Sequence, residues 1–180
     1  MNNYSLFAIR YLLFIISLLF FSCDNQNENK NSPLTESQLK EHLMNANKII
    51  VKDESKDIEN YTTRHKLEMK QTGTGLRYMI YKNGDGAKAE NGKTVTLKYS
   101  LWLLNGKLCY SADSIEPLQF VIGKEDIING LRESTLLMRT GDKAKVIVPA
   151  HLGYGLMGDG NKVPARATLV FDLELLKVED

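Results

Sequence analysis

Gly153-Tyr154-Gly155-Leu156-Met157-Gly158-Asp159-Gly160-Asn161-Lys162-Val163-Pro164 leads into Ala167-Thr168-Leu169-Val170-Phe171-Asp172-Leu173-Glu174-Leu175, and this passage decides the fold. Glycine and proline punctuate a long loop, because they favour backbone conformations that interrupt regular structure. A strand follows, with Leu169, Phe171, Leu173 and Leu175 on one face, since successive strand side chains point to opposite sides. The same period of two recurs upstream. Leu76–Tyr81 reads as a strand closed by the turn Asn83-Gly84-Asp85-Gly86, and Thr94–Leu104 as a long strand with Val95, Leu97, Tyr99, Leu101 and Leu103 on one face. Asn105-Gly106 is a hairpin turn whose returning strand is Lys107–Tyr110. Leu118, Phe120 and Ile122 mark another strand, and Lys143–Val148 one more, ended by Pro149. Between them the spacing predicts a single helix over Asp126–Met138, with Ile128, Leu131 and Met138 on one face and Thr140-Gly141-Asp142 as its stop. These elements predict an α+β fold, an antiparallel sheet wrapped around one short helix.

Working outward, the N-terminus reads as an address. Arg10 is the only charged side chain before Asp24, and Tyr11–Phe21 is apolar apart from Ser17, too short for the roughly 20 residues that span a bilayer but suited to the core of a secretory leader. Ser22-Cys23 closes the run and resembles a bacterial lipoprotein cleavage site. That resemblance implies a leader over 1–22, lipidation of Cys23, and a membrane-anchored location in the bacterial cell envelope, facing the periplasm or the cell surface. Residues 23–34, opening Asp24-Asn25-Gln26-Asn27-Glu28, read as a flexible tether. Residues 35–72 read as a helical extension. Thr35-Glu36-Ser37-Gln38 has the spacing of a capping box, Leu39, Leu43, Ala46 and Ile50 form a narrow apolar stripe, and a second helical stretch from about Glu54 to Lys66 places Ile58 and Tyr61 on one side. The stripe has two readings, packing on its own domain or a homodimer seam through these helices. Residues 73–180 form the folded domain.

Composition removes several function classes. With Arg10 in the leader, the remaining chain balances its basic and acidic side chains, so no nucleic-acid partner is expected. Gly153-x-Gly155-x-x-Gly158 has the letters of a dinucleotide fingerprint, but Gly160, Asn161 and Pro164 follow it instead of a helix. His42, His65 and His151 are far apart and lack metal-ligand spacing, so no metal site is expected. No Gly-x-Ser-x-Gly elbow is present. Cys109 is the only cysteine besides Cys23, so the mature domain closes no internal disulfide.

From Gly92 to Asp180, and more weakly back to Gly73, the chain resembles the FKBP-type peptidyl-prolyl isomerases. Lys98-Tyr99, Asn105-Gly106-Lys107, Phe120-x-Ile122-Gly123, Ile127-Ile128-x-Gly130-Leu131, Met138, Gly141-Asp142-Lys143-Ala144 and Tyr154-Gly155 fall in family order before the C-terminal block. The resemblance implies an isomerase that acts on proline-containing polypeptide clients. It implies no cofactor, because the reaction makes and breaks no covalent bond. It also implies roles by position. Tyr99 lines one wall of the proline pocket and Phe120 supports it. Ile127 and Ile128 start the helix, with the Ile128 N–H bonding a substrate carbonyl, and Leu131 forms the floor. Tyr154 offers its hydroxyl to the substrate backbone, Val163 closes the pocket, and Phe171 packs behind the proline ring.

One departure stands out. The family's Phe-Asp pair after the Gly-Lys turn is Cys109-Tyr110 here, so Tyr110 either supplies a hydroxyl where the carboxylate is lost or simply fills space. Leu118 also replaces an aromatic wall. In this feature the chain resembles prolyl-isomerase-like lipoproteins of Bacteroidetes, including those associated with gliding motility. That resemblance implies an alternative, a non-catalytic chaperone or accessory subunit of surface or gliding machinery.

Overall fold

The computed structural model describes residues 34–180. The leader, Cys23 and nearly all of the tether lie outside the described residues. The chain divides into two compact units between His42 and Leu43. Within the described part of the first, Leu34–His42, the expected capping box forms: the Thr35 N–H donates to Gln38 Oε1 at 3.0 Å and the Gln38 N–H to Thr35 Oγ1 at 3.4 Å.

This cap opens helix α1, Glu36–Arg64. Two helical stretches were expected here, yet α1 is one continuous helix of 29 residues. Val51-Lys52-Asp53, between the two stretches, contains neither glycine nor proline, so nothing interrupts the hydrogen-bond ladder where the apolar stripe changes phase.

In the second unit seven strands form one antiparallel sheet: β1 (Lys70–Gln71), β2 (Arg77–Lys82), β3 (Thr94–Leu103), β4 (Leu108–Tyr110), β5 (Leu118–Val121), β6 (Lys143–Val148) and β7 (Leu169–Glu179). Their order is β1-β2-β6-β7-β3-β4, and β5 shares the outer edge of β3 with β4. The two ends of β3 are thus divided, Leu97 facing Leu118 of β5 and Leu101 facing Tyr110 of β4. Alternation along β7 produces two apolar faces. Leu169, Phe171, Leu173 and Leu175 join the main core with Val95, Leu97, Leu101 and Leu131. Val170 points the other way and meets Ile147 and Ile58 of α1, with Tyr61 and Trp102 at the margin.

Helix α2 covers Asn129–Leu136, shorter at both ends than the expected Asp126–Met138. At its start Ile128 is extended, with φ −56° and ψ 138°. At its end the Met138 carbonyl is taken by the Ala89 N–H at 3.1 Å. Gly130 lets this helix lie against the sheet, because a Cβ there would stand 2.3 Å from Val148 Cγ1.

Candidate active site

All nine residues expected to build the pocket belong to one apolar cluster. Phe120, Leu131, Val163 and Phe171 are buried, whereas Tyr99, Tyr110, Ile127, Ile128 and Tyr154 are half-buried and keep part of their surface outward. Adjacent strands bring two of them together. Tyr99 on β3 and Phe171 on β7 have ring centroids 5.9 Å apart and planes tilted by 57°, an arrangement that suits the charge distribution of aromatic rings. Among the described residues the N–H of Ile128 makes no backbone hydrogen bond, while its carbonyl accepts from the N–H groups of Leu131 (3.1 Å) and Arg132 (3.2 Å). The extended residue before a helix therefore presents an unspent donor.

The loop between β6 and β7 carries Tyr154 and Val163, and also a group that sequence reasoning missed. In the sequence Asp159 stands only as one residue of the glycine-punctuated loop. In the structure Tyr110 Oη donates to Asp159 Oδ2 at 2.5 Å, and Oδ1 accepts from the N–H groups of Asn161 and Val163, both at 2.8 Å. Gly158 makes this bend possible. Its φ is +69°, and a Cβ would stand 2.3 Å from the Val163 carbonyl oxygen. A carboxylate thus stands beside position 110 after all, contributed by the loop instead of by β4. The signal available in the sequence was an Asp between two glycines, a common turn pattern, and no local feature pairs it with a tyrosine 49 residues away.

Charge and burial shape this polar edge. Burial alone would raise the Asp159 carboxyl, but the Tyr110 hydroxyl and the N–H groups of Val163, Asn161 and Lys162 hold it below its ordinary value. The hydrogen bond to Asp159, reinforced by burial, pushes Tyr110 up to about 12. Burial raises Tyr154 and Tyr99, and for Tyr154 the neighbouring Tyr99, Asp159 and Cys109 add to it. All three phenols therefore remain protonated donors at neutral pH. Lys162 Nζ stands 4.9 Å from the centre of the Tyr110 ring, a cation–π contact. Cys109 is buried, and its thiol, raised chiefly by burial, lies 3.6 Å from the Lys162 carbonyl oxygen. His42, His65 and His151 are exposed. Among the described residues no group of three or more His, Cys, Asp or Glu side chains is placed to share a metal ion.

Comparison with known proteins agrees with this architecture. Residues 85–176 match the family described as FKBP-type peptidyl-prolyl cis-trans isomerase. An FK506-binding protein of Neisseria meningitidis serogroup B (strain ATCC BAA-335 / MC58) is 41% identical over 105 residues, which cover 58% of this chain and 96% of that protein. The FKBP-type peptidyl-prolyl cis-trans isomerase FkpA of Aeromonas hydrophila is 38% identical over 136 residues, 74% of this chain and 50% of that protein. The crystal structure of FkpA from Escherichia coli superposes with a TM-score of 0.62 at 30% identity, covering 82% of this chain and 75% of that one. The chain belongs to the FKBP-type peptidyl-prolyl cis-trans isomerases, and its activity is the interconversion of cis and trans X–Pro bonds.

Proposed function

We propose that this isomerase acts on exported proteins while tethered to a membrane of the cell envelope through lipidated Cys23, and that the nine pocket residues bind its substrate. The observation that carries the site is the convergence of the Tyr99–Phe171 wall with donors at Tyr154 and at the unspent Ile128 N–H. The barrier to the reaction is rotation about a conjugated C–N bond, roughly 18–20 kcal/mol. Catalysis requires the twisted amide to be bound better than either planar form. A proline ring seated on Tyr99, Phe171, Leu131 and Val163 removes water from the amide carbonyl, which favours the less dipolar twisted state. The Ile128 N–H and the Tyr154 hydroxyl then hold the flanking backbone carbonyls while the bond turns. A protease-coupled or proline-limited refolding assay tests this reading; Tyr154→Phe in the same assay should lower kcat/KM, and an unchanged value would remove Tyr154 from the site.

The leader and the Ser22-Cys23 junction support the anchor. Among the described residues no helix is long and apolar enough to cross a membrane. Cys23→Ser should move the protein out of the membrane fraction or leave it unprocessed. Stable attachment needs more than one acyl chain, since a single chain binds only marginally.

A second reading is favoured by a specific observation. Leu43, Met44, Ile49, Ile50 and Val51 of α1 are all exposed. Such a surface suits either a homodimer through these helices or the holding of unfolded client segments, including an accessory role in surface or gliding machinery. Sedimentation of Leu43→Glu against wild type distinguishes them: loss of a dimer supports the seam, and a monomer in both leaves the holding role.

A further inference from the structure

Glu54 hydrogen-bonds to none of the pocket residues, yet it holds both ends of the loop that carries Tyr154, Val163 and the Asp159 carboxylate. Its Oε1 accepts from the Ala150 N–H at 2.7 Å and from Thr168 Oγ1 at 2.5 Å. Ala150 stands two residues after the end of β6, and Thr168 immediately precedes β7. Everything between them, including Tyr154, Asp159 and Val163, is loop apart from the single 3-10 turn Ala150–Leu152.

The attachment at Ala150 bears directly on Tyr154. The Ala150 carbonyl accepts from the N–H groups of Gly153 (3.1 Å) and Gly155 (3.0 Å), on either side of the tyrosine, and the Gly155 carbonyl accepts from the Arg166 N–H at 2.7 Å. The loop is thus tied within itself, and its base is fastened to α1 through one carboxylate oxygen. An ionised carboxylate only accepts hydrogen bonds, and such charge-assisted bonds are roughly twice as strong as neutral ones. The helix end of the tie is also fixed. One turn after Glu54, Ile58 is buried against Ile147 and Val170 on the far face of the sheet, so the carboxylate is presented by a packed surface and not by a free helix.

We propose that Glu54 is a positioning residue for isomerisation, one that sets the Tyr154 loop from outside the pocket and makes the site's competence depend on helix α1. A loop anchored at both ends keeps a donor within hydrogen-bond reach of a carbonyl that must be met in one geometry. A loop freed at its base does not.

The full chain carrying Glu54→Ala should show kcat/KM reduced about tenfold, within the hundredfold that a misplacement of about 1 Å can cause. Glu54→Gln retains an oxygen able to accept both bonds and should stay within about twofold of wild type. Thr168→Val removes one of the two donors and should give a smaller loss. The double variant Glu54→Ala with Thr168→Val should be no worse than Glu54→Ala alone, since the two share one interaction. Hydrogen exchange should quicken at the amides of Gly155–Val163 in Glu54→Ala while those of β3 and β6 keep wild-type protection. The proposal is overturned if Glu54→Ala turns over substrate at the wild-type rate while folded, if Glu54→Gln is as impaired as Glu54→Ala, or if exchange quickens evenly across the sheet. If Glu54→Ala does not fold, Thr168→Val at wild-type kcat/KM overturns it as well.

Discussion

Three phenols and one carboxylate meet at the polar edge of the pocket, and their mutual influence can be measured residue by residue. Tyr110 is pushed up to about 12 from an ordinary value of 10.0, so the folded chain holds this proton more tightly than the unfolded one. The stability this contributes is complete below about pH 10 and is lost as pH rises through about 12. Asp159 is shifted the opposite way, so its contribution is present above the ordinary carboxyl value of 3.8 and is lost as pH falls through the lower folded value. An ultraviolet titration of phenolate should therefore show a delayed ionisation near pH 12 in wild type that is absent in Tyr110→Phe. Equal titration curves above pH 10 would deny the bond to Asp159. The same bond makes a clear prediction for the family's own residue. Tyr110→Asp removes the donor that Asp159 accepts from and brings a second carboxylate to the same edge, and neighbouring like charges disfavour each other. The Asp159 loop should be repelled and kcat/KM should fall, by roughly tenfold for each 1.4 kcal/mol lost in the transition state. The Tyr110 hydroxyl, for which the sequence left open a replacement donor or a space filler, is spent within the protein on Asp159.

Among the elements, α2 and the β6–β7 loop set the spacing of the site. Gly130 faces Val148 so closely that Gly130→Ala would drive a methyl to within 2.3 Å of Val148 Cγ1. Both the helix and β6 would have to yield, at about 1–3 kcal/mol for overpacking of this kind. Chemical denaturation should show a lower midpoint with an unchanged slope, the mark of lost stability without a change in the surface exposed. Because Ile128 directly precedes this helix, isomerase activity should fall further than stability alone predicts. The core-facing sides of the strands were legible in the sequence from Val95, Leu97 and Leu101 or Leu169, Phe171 and Leu173, since alternation can place an apolar face in only one way, whereas the bulge that shifts β3 against β7 between Thr96 and Leu97 was not. The start of α2 was not. The apolar period reaches back to Ile128, but its ψ of 138° is extended, and periodicity cannot distinguish a residue in the helix from one that caps it.

Over the whole molecule, the two apolar faces of β7 predict different consequences. Phe171 is 1% exposed in the main core, and Phe171→Ala should cost about 3–5 kcal/mol through the cavity it leaves. Ile58→Ala opens the smaller cluster beneath α1 and should cost about 2–5 kcal/mol; thermal unfolding of both variants checks the pair, and an unshifted Ile58→Ala would detach α1 from the sheet's stability. Val170 lies on the opposite face of β7 from Leu169 and Phe171, and nothing local marks its burial, which comes from Ile58 on a helix more than 100 positions earlier. By itself the sequence determined strands β2–β7, the single central helix and the capping box at Thr35, because each is written in local periodicity or in turn chemistry that acts over a few residues; the pocket residues followed from the family resemblance, and β1 lies in a stretch that reads as helical. Only the tertiary structure decided that Asp159 stands opposite Tyr110, that the two helical stretches are one helix, and that Glu54 fastens the ends of the Tyr154 loop. Those outcomes join residues 49, 96 and 114 positions apart or depend on how a continuous helix meets a sheet, and a hydrogen bond between distant groups leaves no period in the chain.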